Sequence, residues 1–461
     1  MKLKPIFLLA ILVGIYSCKE TQKTELSLDG TWNSIGYGQQ IHINDSKVGI
    51  YDVYENGCSF NTELPKKYLN EYFEIKNLTK DSLKLRLGFT DYNFVRSTSE
   101  TIFCDQNNSS TNDPIRNFDA MWYTFNENYP SFKLRNIDWQ EIKEKYRPRL
   151  NSQSTDLELF KVLEEMTSEL NDGHVSLDVP ESLEDMIENN DDGYDRIRES
   201  VINSINNKYI DSLNSYNKGI INWGIINDNI GYIQINDFED LANYEIEQNT
   251  SEEDFWDIYW ENADNSANYP KDVLNGAKGI MKVIFDDIKN TKSCIIDVRF
   301  NGGGFDQAGL EVLSYFTDKE IVAFTKKARY KNDFTKKQNI YLKPNGQNYR
   351  GNLYILTSYQ TASASETFVL ASQSIENAKT VGSNTEGILS DVLSKKIPNG
   401  WEYGLSNEIY LGKKQINYEK VGIPTDYDLS YPKSGIEFYN LLLDELKTND
   451  KAIEKVIELS E

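Results

Sequence analysis

The chain is poor in histidine, in cations and, after its first residues, in long apolar runs. Only two histidines occur in 461 residues, so any mechanism that needs an imidazole must use His42 or His174. No segment beyond the first eighteen residues approaches membrane-spanning length, which excludes an integral helical membrane protein. The 49 lysines and arginines are outnumbered by 72 acidic residues, giving a formal net charge of −23. So acidic a body repels nucleic acid and anionic headgroups, and we expect no nucleic-acid partner.

The N-terminus has the pattern of an export signal. Two lysines precede the apolar run from Ile6 to Ile15, which is too short to span a membrane but suits a secretory signal. The run is followed by Ser17 and Cys18, and a small residue before a cysteine resembles the lipobox of bacterial lipoproteins. We expect residues 1–17 to be removed and Cys18 to become a lipidated N-terminus, with an ordinary cleaved signal as the alternative. The protein would then be exported, held at a membrane by its lipid, and periplasmic or associated with the outer membrane.

Export permits disulfide bonds, and the chain has four cysteines. Cys294 lies in an apolar stretch typical of a buried strand, and Cys18 is assigned to the lipid. Cys58 and Cys104 are therefore the pair that could form a disulfide, against the alternative of two free thiols.

The length of the chain predicts two or three domains. After a tether at residues 18–24, alternating apolar residues predict a small antiparallel β domain over 25–105. A helical subdomain over 106–180 and an acidic helical connector over 181–222 follow, without the Gly-rich carboxylate-binding loop of a PDZ module. Strands and helices alternate over 223–445, which predicts layered α/β packing with ligands near the strand C-terminal ends, and residues 446–461 form a C-terminal helix or tail.

The stretch from Tyr354 to Leu370 predicts a strand, a tight turn and a helix. It places Ser363, between Ala362 and Ala364, at the helix N-terminus, where free backbone N–H groups favour a developing anion. The alternative is that Ser363 or Ser365 only caps the helix.

A serine nucleophile needs a base, and histidine suits that task near neutral pH. His42 alternates with apolar neighbours in a predicted strand, which leaves His174, after Asp172 and Gly173. The sequence Asn301-Gly-Gly-Gly304 follows an apolar strand and lets successive N–H groups point into one space, as an oxyanion pocket requires. Phosphate binding is excluded because no lysine follows at Walker spacing. Taken alone, the turn that carries His174 and the glycine loop after Asn301 are each typical of a structural turn.

Together these three elements resemble the tail-specific, C-terminal processing serine peptidases, whose relatives include the tricorn core protease and the interphotoreceptor retinoid-binding protein. The stretches that carry the resemblance are Asp172-Gly-His-Val175, Gly231-Tyr-Ile-Gln-Ile235, Ile295-Ile-Asp-Val-Arg-Phe-Asn-Gly-Gly-Gly304, Thr361-Ala-Ser-Ala-Ser-Glu366 and Val421-Gly-Ile-Pro-Thr-Asp426. They follow the family's order. The resemblance implies a crotonase-like (ClpP-like) catalytic domain, a peptide or unfolded protein as substrate, and neither cofactor nor metal ion.

The family has a Ser/Lys and a Ser/His design. In the Ser/Lys design a lysine stands after the nucleophile in a Gly-Lys-Gly context, and this chain has Ile388 at that position. Lys395 and Lys396 come too late, and we interpret them as a solvated strand face. The resemblance therefore favours the tricorn-like Ser/His branch.

That branch implies a role for each matching residue. Ser363 would be the nucleophile and His174 the base, with Glu419 at the place of a glutamate that orients the base. The backbone N–H groups of Gly302 or Gly303 and of Ala364 would form the oxyanion hole. Tricorn has a serine before its histidine and this chain has Gly173, so a water or Asp172 is the alternative partner of the base.

Two other functions fit the same fold. A non-catalytic ligand- or peptide-binding protein, like the retinoid-binding relatives, would be expected to lose the Ser/His pair, which is retained here. An acyl-transfer enzyme of the crotonase-like class would rarely need an exported, lipid-tethered body.

Overall fold

A computed structural model describes residues 26–98, 104, 110–184, 193–247 and 249–461. The expected signal segment and the lipidation site at Cys18 lie outside these residues. Within these ranges no helix is both long enough and apolar enough to cross a membrane.

The N-terminal domain is one antiparallel sheet of seven strands in the order β4-β3-β2-β1-β7-β6-β5. Its elements are β1 (Gly30–Ser34), β2 (Gln39–Ile43), β3 (Lys47–Tyr54), β4 (Gly57–Pro65), α1 (Leu69–Tyr72), β5 (Glu74–Leu78), β6 (Ser82–Leu87) and β7 (Thr90–Arg96), with a 3-10 turn at Lys66–Tyr68. Alternate side chains such as Ile41 and Ile43 pack around the fully buried Trp32. The expected small antiparallel β domain is confirmed. Cys58 and Cys104 are joined by a disulfide, with their Cα atoms 6.0 Å apart.

A helical subdomain follows. It comprises α2 (Pro114–Asn128), α3 (Phe132–Arg135), α4 (Trp139–Tyr146), a 3-10 turn at Arg147–Arg149, α5 (Asp156–Ser168), the short strand β8 (Ser176–Asp178) and α6 (Glu181–Glu184). Asp113 caps α2 by accepting a hydrogen bond from the N–H of Ile115, and Thr155 and Glu158 form a capping box that starts α5.

The remaining elements form the α/β domain. They are α7 (Tyr194–Tyr209), β9 (Asn214–Tyr216), a 3-10 turn at Asn217–Gly219, β10 (Ile221–Ile226), β11 (Ile230–Ile235), α8 (Glu252–Asp264), α9 (Tyr269–Ile288), β12 (Ser293–Asp297), α10 (Asp306–Leu313), a 3-10 turn at Ser314–Phe316, β13 (Ile321–Tyr330), β14 (Asp333–Phe334), β15 (Gln338–Leu342), β16 (Asn352–Thr357), α11 (Ala364–Ser372), β17 (Ala378–Gly382), β18 (Val392–Lys396), β19 (Glu402–Ser406), β20 (Glu408–Leu411), β21 (Tyr427–Asp428), α12 (Gly435–Glu445) and α13 (Lys451–Ser460).

The main sheet of this domain has the order β21-β17-β16-β12-β11-β10-β9. Strands β11, β12, β16, β17 and β21 are parallel, and β9 and β10 are antiparallel to their neighbours. All residues of β11 and β12 are buried because helices cover both faces of the sheet. The expected layered α/β catalytic fold is confirmed, and the stretch assigned to the connector contributes β9 and the start of β10. Since parallel strands end at one edge, the segments after β12 and β16 are brought together there.

Two smaller sheets attach the other domains to the main sheet. Strand β8, directly after His174, pairs with β19 in a sheet of order β18-β19-β8. The other small sheet runs β14-β13-β15, and β20 pairs with β13. The helical subdomain shares one apolar core with β18 and β19, including Leu393 and Tyr403. This packing fixes the turn that carries His174 against the α/β domain.

The interpretation of Lys395 as part of a solvated face is wrong. Its side chain is fully buried, and its ammonium group lies 2.9 Å from the carboxylate of Asp52 in the N-terminal sheet. The same group donates to the carbonyl oxygens of Tyr37 and Gly38. Lys396 is half-buried and pairs with Glu402. Lys395 therefore joins the N-terminal sheet to the α/β domain.

Candidate active site

Ser363 lies in the turn between β16 and α11, directly before the first helical residue. Its backbone has φ 53° and ψ −120°, a conformation that residues other than glycine seldom adopt. The turn is held from both sides, because Ala362 N–H donates to the carbonyl of Asn301 and the carbonyl of Ser363 accepts from two N–H groups of α11. A strained position this well supported is typical of a functional residue.

The capping alternative does not describe either serine of this turn. The Ser363 hydroxyl makes no capping hydrogen bond to α11 and lines an open cavity. The Ser365 hydroxyl is buried and has no hydrogen-bond partner in the described part of the chain. Ser363 is thus the serine of this turn that lines a cavity.

The glycine loop after β12 runs alongside Ser363. A Cβ on Gly303 would lie 2.8 Å from the Cβ of Ser363, and a Cβ on Gly304 would lie 2.4 Å from the backbone of Phe238. Both glycines have positive φ values, so no other residue type fits at either position. The close approach places backbone amides of the loop next to the serine.

The candidate oxyanion donors differ in whether they are available. The N–H of Gly303 donates to the side-chain oxygen of Asn301 at 2.9 Å and is already used. The N–H groups of Gly302 and Ala364 have no hydrogen-bond partner among the described residues. Of the three residues expected at this position from the sequence, Gly302 and Ala364 retain free donors.

His174 lies in the turn between α5 and β8. Its backbone N–H donates to Asp172 Oδ1 at 3.1 Å, which fixes the turn. The ring is buried, and Nδ1 has no hydrogen-bond partner within the described ranges. Burial lowers the pKa of His174, and the guanidinium of Arg135 lowers it further against the opposing charge of Asp172. The imidazole is therefore neutral near pH 7, which is the form that can accept a proton.

One segment, residues 385–389, lies between the serine turn and the histidine turn. Its Glu386 N–H donates to the carbonyl of Thr361, two residues before Ser363. On the other side, a Cβ on Gly173 would lie 3.2 Å from Cδ1 of Ile388. The described residues include no hydrogen bond between Ser363 and His174, although both turns pack against this segment.

Glu419 contacts Arg135 rather than His174. Its Oε1 accepts a hydrogen bond from Arg135 Nη2 at 2.6 Å, and its Oε2 accepts from the N–H of Leu389 at 3.0 Å. The same Nη2 lies 3.3 Å from Asp172 Oδ2, so Arg135 is shared between two buried carboxylates. Burial raises the pKa of Glu419 to about 7, and Asp172 adds to this effect while Arg135 opposes it. Glu419 thus reaches the histidine turn through Arg135 and Asp172.

Sequence reasoning missed Arg135. It belongs to the four-residue helix α3, and nothing in its local sequence indicates a partner almost three hundred residues away. Only the packing of the helical subdomain on the α/β domain reveals its position.

Cavities open on both sides of residues 385–389. One, of about 480 Å³, is lined by Ser363 and Leu389 together with residues of the N-terminal sheet. The other, of about 500 Å³, is lined by Arg135, Gly173 and Ile388. Across the described ranges, no group of three or more histidine, cysteine, aspartate or glutamate side chains is arranged to hold a metal ion.

Comparison with known proteins gives two family matches. Residues 229–429 match the model of peptidase family S41, and residues 111–168 match the model of the tricorn protease C1 domain. The first range contains Ser363, the glycine loop and Glu419. His174 lies between the two ranges, and the N-terminal sheet precedes both.

Solved structures share the fold. A protein of Parabacteroides merdae assigned as a peptidase is 22% identical, with 76% of this chain and 97% of that chain covered and a TM-score of 0.55. Mature CPAF is 11% identical, with 74% of this chain and 98% of that chain covered and a TM-score of 0.50. At these identities the structures show the fold alone, and the two family models support a serine-type peptidase.

Proposed function

We propose that this chain, a serine peptidase whose residues 229–429 form a family S41 domain, is an endopeptidase of the C-terminal processing type. It would cleave peptides or unfolded protein tails by a Ser/His mechanism. The observation that carries this proposal is Ser363, whose hydroxyl makes no capping hydrogen bond, stands in a strained turn at the start of α11 and faces an open cavity.

Each catalytic step has a residue suited to it. Ser363 Oγ attacks the carbonyl carbon of the scissile bond while His174 takes the hydroxyl proton, and the protonated imidazole then donates that proton to the leaving amine. The free N–H groups of Gly302 and Ala364 hold the oxyanion of the tetrahedral intermediate. Water then attacks the acyl carbon while His174 takes its proton, and the imidazolium returns that proton to Ser363 Oγ as the bond between this oxygen and the acyl group breaks.

Ser363 and His174 share no hydrogen bond, and we infer that bound substrate completes their alignment. Catalytic hydrogen bonds are often long without substrate and tighten in the complex. Arg135, Asp172 and Glu419 act as positioning residues, because they hold the turn that carries the imidazole without contacting the reacting atoms.

The Ser363→Ala variant tests the nucleophile, and Ser365→Ala is its matched control in the same turn. We expect Ser363→Ala to lower kcat/KM for an unfolded protein substrate by at least about a thousandfold with the melting temperature unchanged. Ser365→Ala should retain turnover, since the Ser365 hydroxyl has no hydrogen-bond partner among the residues that the structure describes. Full turnover by Ser363→Ala would reject the assignment.

A binding protein on the same fold is the second candidate function, and the absent Ser363–His174 hydrogen bond favours it. A fluorophosphonate probe separates the two functions because it reacts only with an activated serine. Labelling that is lost in Ser363→Ala supports the peptidase, whereas a folded protein that neither reacts nor cleaves supports the binding function.

We further propose that the protein is an exported lipoprotein anchored through Cys18 after removal of residues 1–17. The disulfide between Cys58 and Cys104 supports export, because disulfides persist in oxidising compartments. Metabolic labelling with a fatty acid should mark the wild-type chain and not Cys18→Ala. Equal labelling of both proteins would refute the anchor.

A further inference from the structure

Part of the wall of the cavity beside Ser363 comes from the N-terminal sheet. The α/β domain contributes residues such as Phe305 and Leu389, and the β6–β7 hairpin contributes Leu87, Phe89 and Tyr92. Both family matches begin after this hairpin. The hairpin therefore adds a surface to the candidate site that the matched ranges do not contain.

The tip of the hairpin is a two-residue turn that packs on the α/β domain. Leu87 pairs with Thr90, and Gly88 between them has φ +60°, which suits glycine at the first central position of such a turn. A Cβ on Gly88 would lie 3.0 Å from the side chain of Gln307 on α10. The ring of Phe89 meets Phe324 of β13 edge to face at 6.0 Å. The tip is thus inserted into the α/β domain rather than free in solvent.

Polar contacts hold the hairpin in this position. Asp91 N–H donates to the side-chain oxygen of Gln338 at 2.8 Å, and the amide group of Gln338 donates back to the carbonyl of Asp91 at 2.9 Å. The Tyr92 ring packs against Tyr37, whose hydroxyl donates to the buried carboxylate of Glu408 at 2.7 Å. The hairpin therefore forms a fixed wall, which is what a selective subsite needs.

Large apolar side chains are exposed on both sides of the cavity. Tyr72, Leu87 and Val392 line it, and each is about two-fifths exposed, at 41%, 40% and 41%. Large apolar side chains left exposed around one opening mark a binding surface. An apolar group of the substrate would cover them.

The two carboxylates of the cavity already have partners of their own. Asp306 accepts a hydrogen bond from the Thr367 hydroxyl and a longer one from Tyr410. Asp391 accepts a hydrogen bond from the N–H of Val392, and the ammonium group of Lys326, which pairs with Glu408 at 2.8 Å, lies 4.0 Å from it. Burial raises the pKa of Asp306 to about 7, so its negative charge is incomplete near neutral pH. These contacts favour an apolar side chain over a cationic one.

We propose that the β6–β7 hairpin is a specificity element of the peptidase. Leu87, Phe89 and Tyr92 form one wall of a subsite that receives a large apolar side chain of the substrate next to the bond cleaved at Ser363. This inference rests on the proposed function, since the cavity is a substrate subsite only if Ser363 reacts there.

The test uses the purified protein and fluorogenic peptides that differ only at one residue flanking the cleaved bond, which is phenylalanine, leucine, alanine or lysine. Mass spectrometry of the products confirms which bond is cut. We expect kcat/KM to be at least tenfold higher for phenylalanine or leucine than for alanine. Leu87→Ser and Phe89→Ala should each reduce this ratio of kcat/KM values about tenfold. Each substitution removes an apolar side chain against which the phenylalanine or leucine of the substrate would be buried.

Val95→Ser is the matched control. Val95 lies on β7 of the same hairpin and is 42% exposed, like Leu87, but it does not line the cavity. The Val95→Ser variant should leave both the melting temperature and the ratio of kcat/KM for phenylalanine to that for alanine unchanged. Because Leu87 is also exposed, Leu87→Ser should remain folded and report on selectivity even if Phe89→Ala does not fold.

The outcomes separate the two proposals. If the wild-type protein cleaves none of the peptides and no unfolded protein, the proposed function fails and this inference fails with it. If the wild type cleaves peptides but prefers lysine, or if folded Leu87→Ser keeps the preference for phenylalanine, the inference alone is overturned. The inference is supported if Leu87→Ser and Phe89→Ala lower the preference for phenylalanine or leucine over alanine while Val95→Ser keeps it.

Discussion

Replacing Arg135 by methionine should destabilise the protein and alter its pH dependence in a defined direction. The Arg135 side chain is 4% exposed, and its Nη2 lies 2.6 Å from Glu419 Oε1 and 3.3 Å from Asp172 Oδ2. Methionine fills similar space but leaves two buried carboxylates without a cation. Removing one partner from a buried ion pair typically costs about 3–5 kcal/mol, and we expect a loss in this range at pH 8.

The loss should become smaller as the pH falls. Burial already raises the pKa of Glu419 to about 7 with Arg135 present, and the pKa must rise further once the opposing guanidinium is removed. A carboxyl whose folded-state pKa exceeds its unfolded value loses stability as the pH rises through that interval. The deficit of Arg135→Met is therefore largest above pH 7 and recovers toward pH 5, where Glu419 is protonated.

The pH dependence of kcat/KM provides a second measurement on Arg135→Met. Burial lowers the pKa of His174, and Arg135 lowers it further. Wild-type kcat/KM should therefore decline only below about pH 6.5, the ordinary pKa of histidine. Without Arg135 the pKa of His174 rises, so the acid limb of the pH profile should move to higher pH.

Guanidinium unfolding at pH 5 and pH 8, followed by tryptophan fluorescence to which Trp122 and Trp139 in the helical core contribute, measures the stability change. Arg149→Met is the matched control, because Arg149 belongs to the same subdomain but its pair with Glu165 is exposed and screened by solvent. Adding Glu419→Gln to Arg135→Met should restore part of the loss at pH 8. Equal losses at both pH values, or an acid limb that moves to lower pH, would refute the electrostatic argument.

Two further substitutions test the site and its attachment. Gly303→Ala should lower kcat/KM at least about a hundredfold, because its Cβ would lie 2.8 Å from the Cβ of Ser363 at a φ of +133°. Activity close to that of the wild type would show that the loop does not constrain the serine. Lys395→Met should cost about 3–5 kcal/mol in guanidinium unfolding, because it leaves Asp52 buried without its cation. Lys396→Met, whose partner Glu402 is exposed, serves as its control, and similar losses in the two variants would contradict the role of burial.

The sequence predicts those parts of the site that local pattern determines. The alternation of strands and helices gave the α/β domain, and the strand-turn-helix pattern placed Ser363 before α11, because both depend on residues close in the chain. The glycine loop was predictable for the same reason, since its three glycines are consecutive. The sequence could not predict which N–H group of that loop stays free, because this depends on where the Asn301 side chain points.

Contacts between distant segments were not predictable from the sequence. Arg135 meets Glu419 only because the helical subdomain packs on the α/β domain, and the hairpin at Leu87 reaches the cavity only because the N-terminal sheet docks there. The burial of Lys395 is different, because the sequence pattern of its strand did indicate it. It stands two residues after Leu393 on β18, so the alternation that buries Leu393 also turns Lys395 inward.

Glu366 couples the serine turn to the segment beside His174. It lies in the first turn of α11, is fully buried, and accepts hydrogen bonds from the N–H groups of Gly387 and Ile388 at 2.8 Å and 2.7 Å. Glu366→Gln should place an amide donor against one of these N–H groups, at a cost of about 1–3 kcal/mol. Since Ile388 contacts the histidine turn, we expect kcat to fall more than KM changes. Glu376→Gln, at an exposed position after the same helix, should leave both constants unchanged, and a Glu366→Gln variant with wild-type kcat would mean that the two turns are held independently.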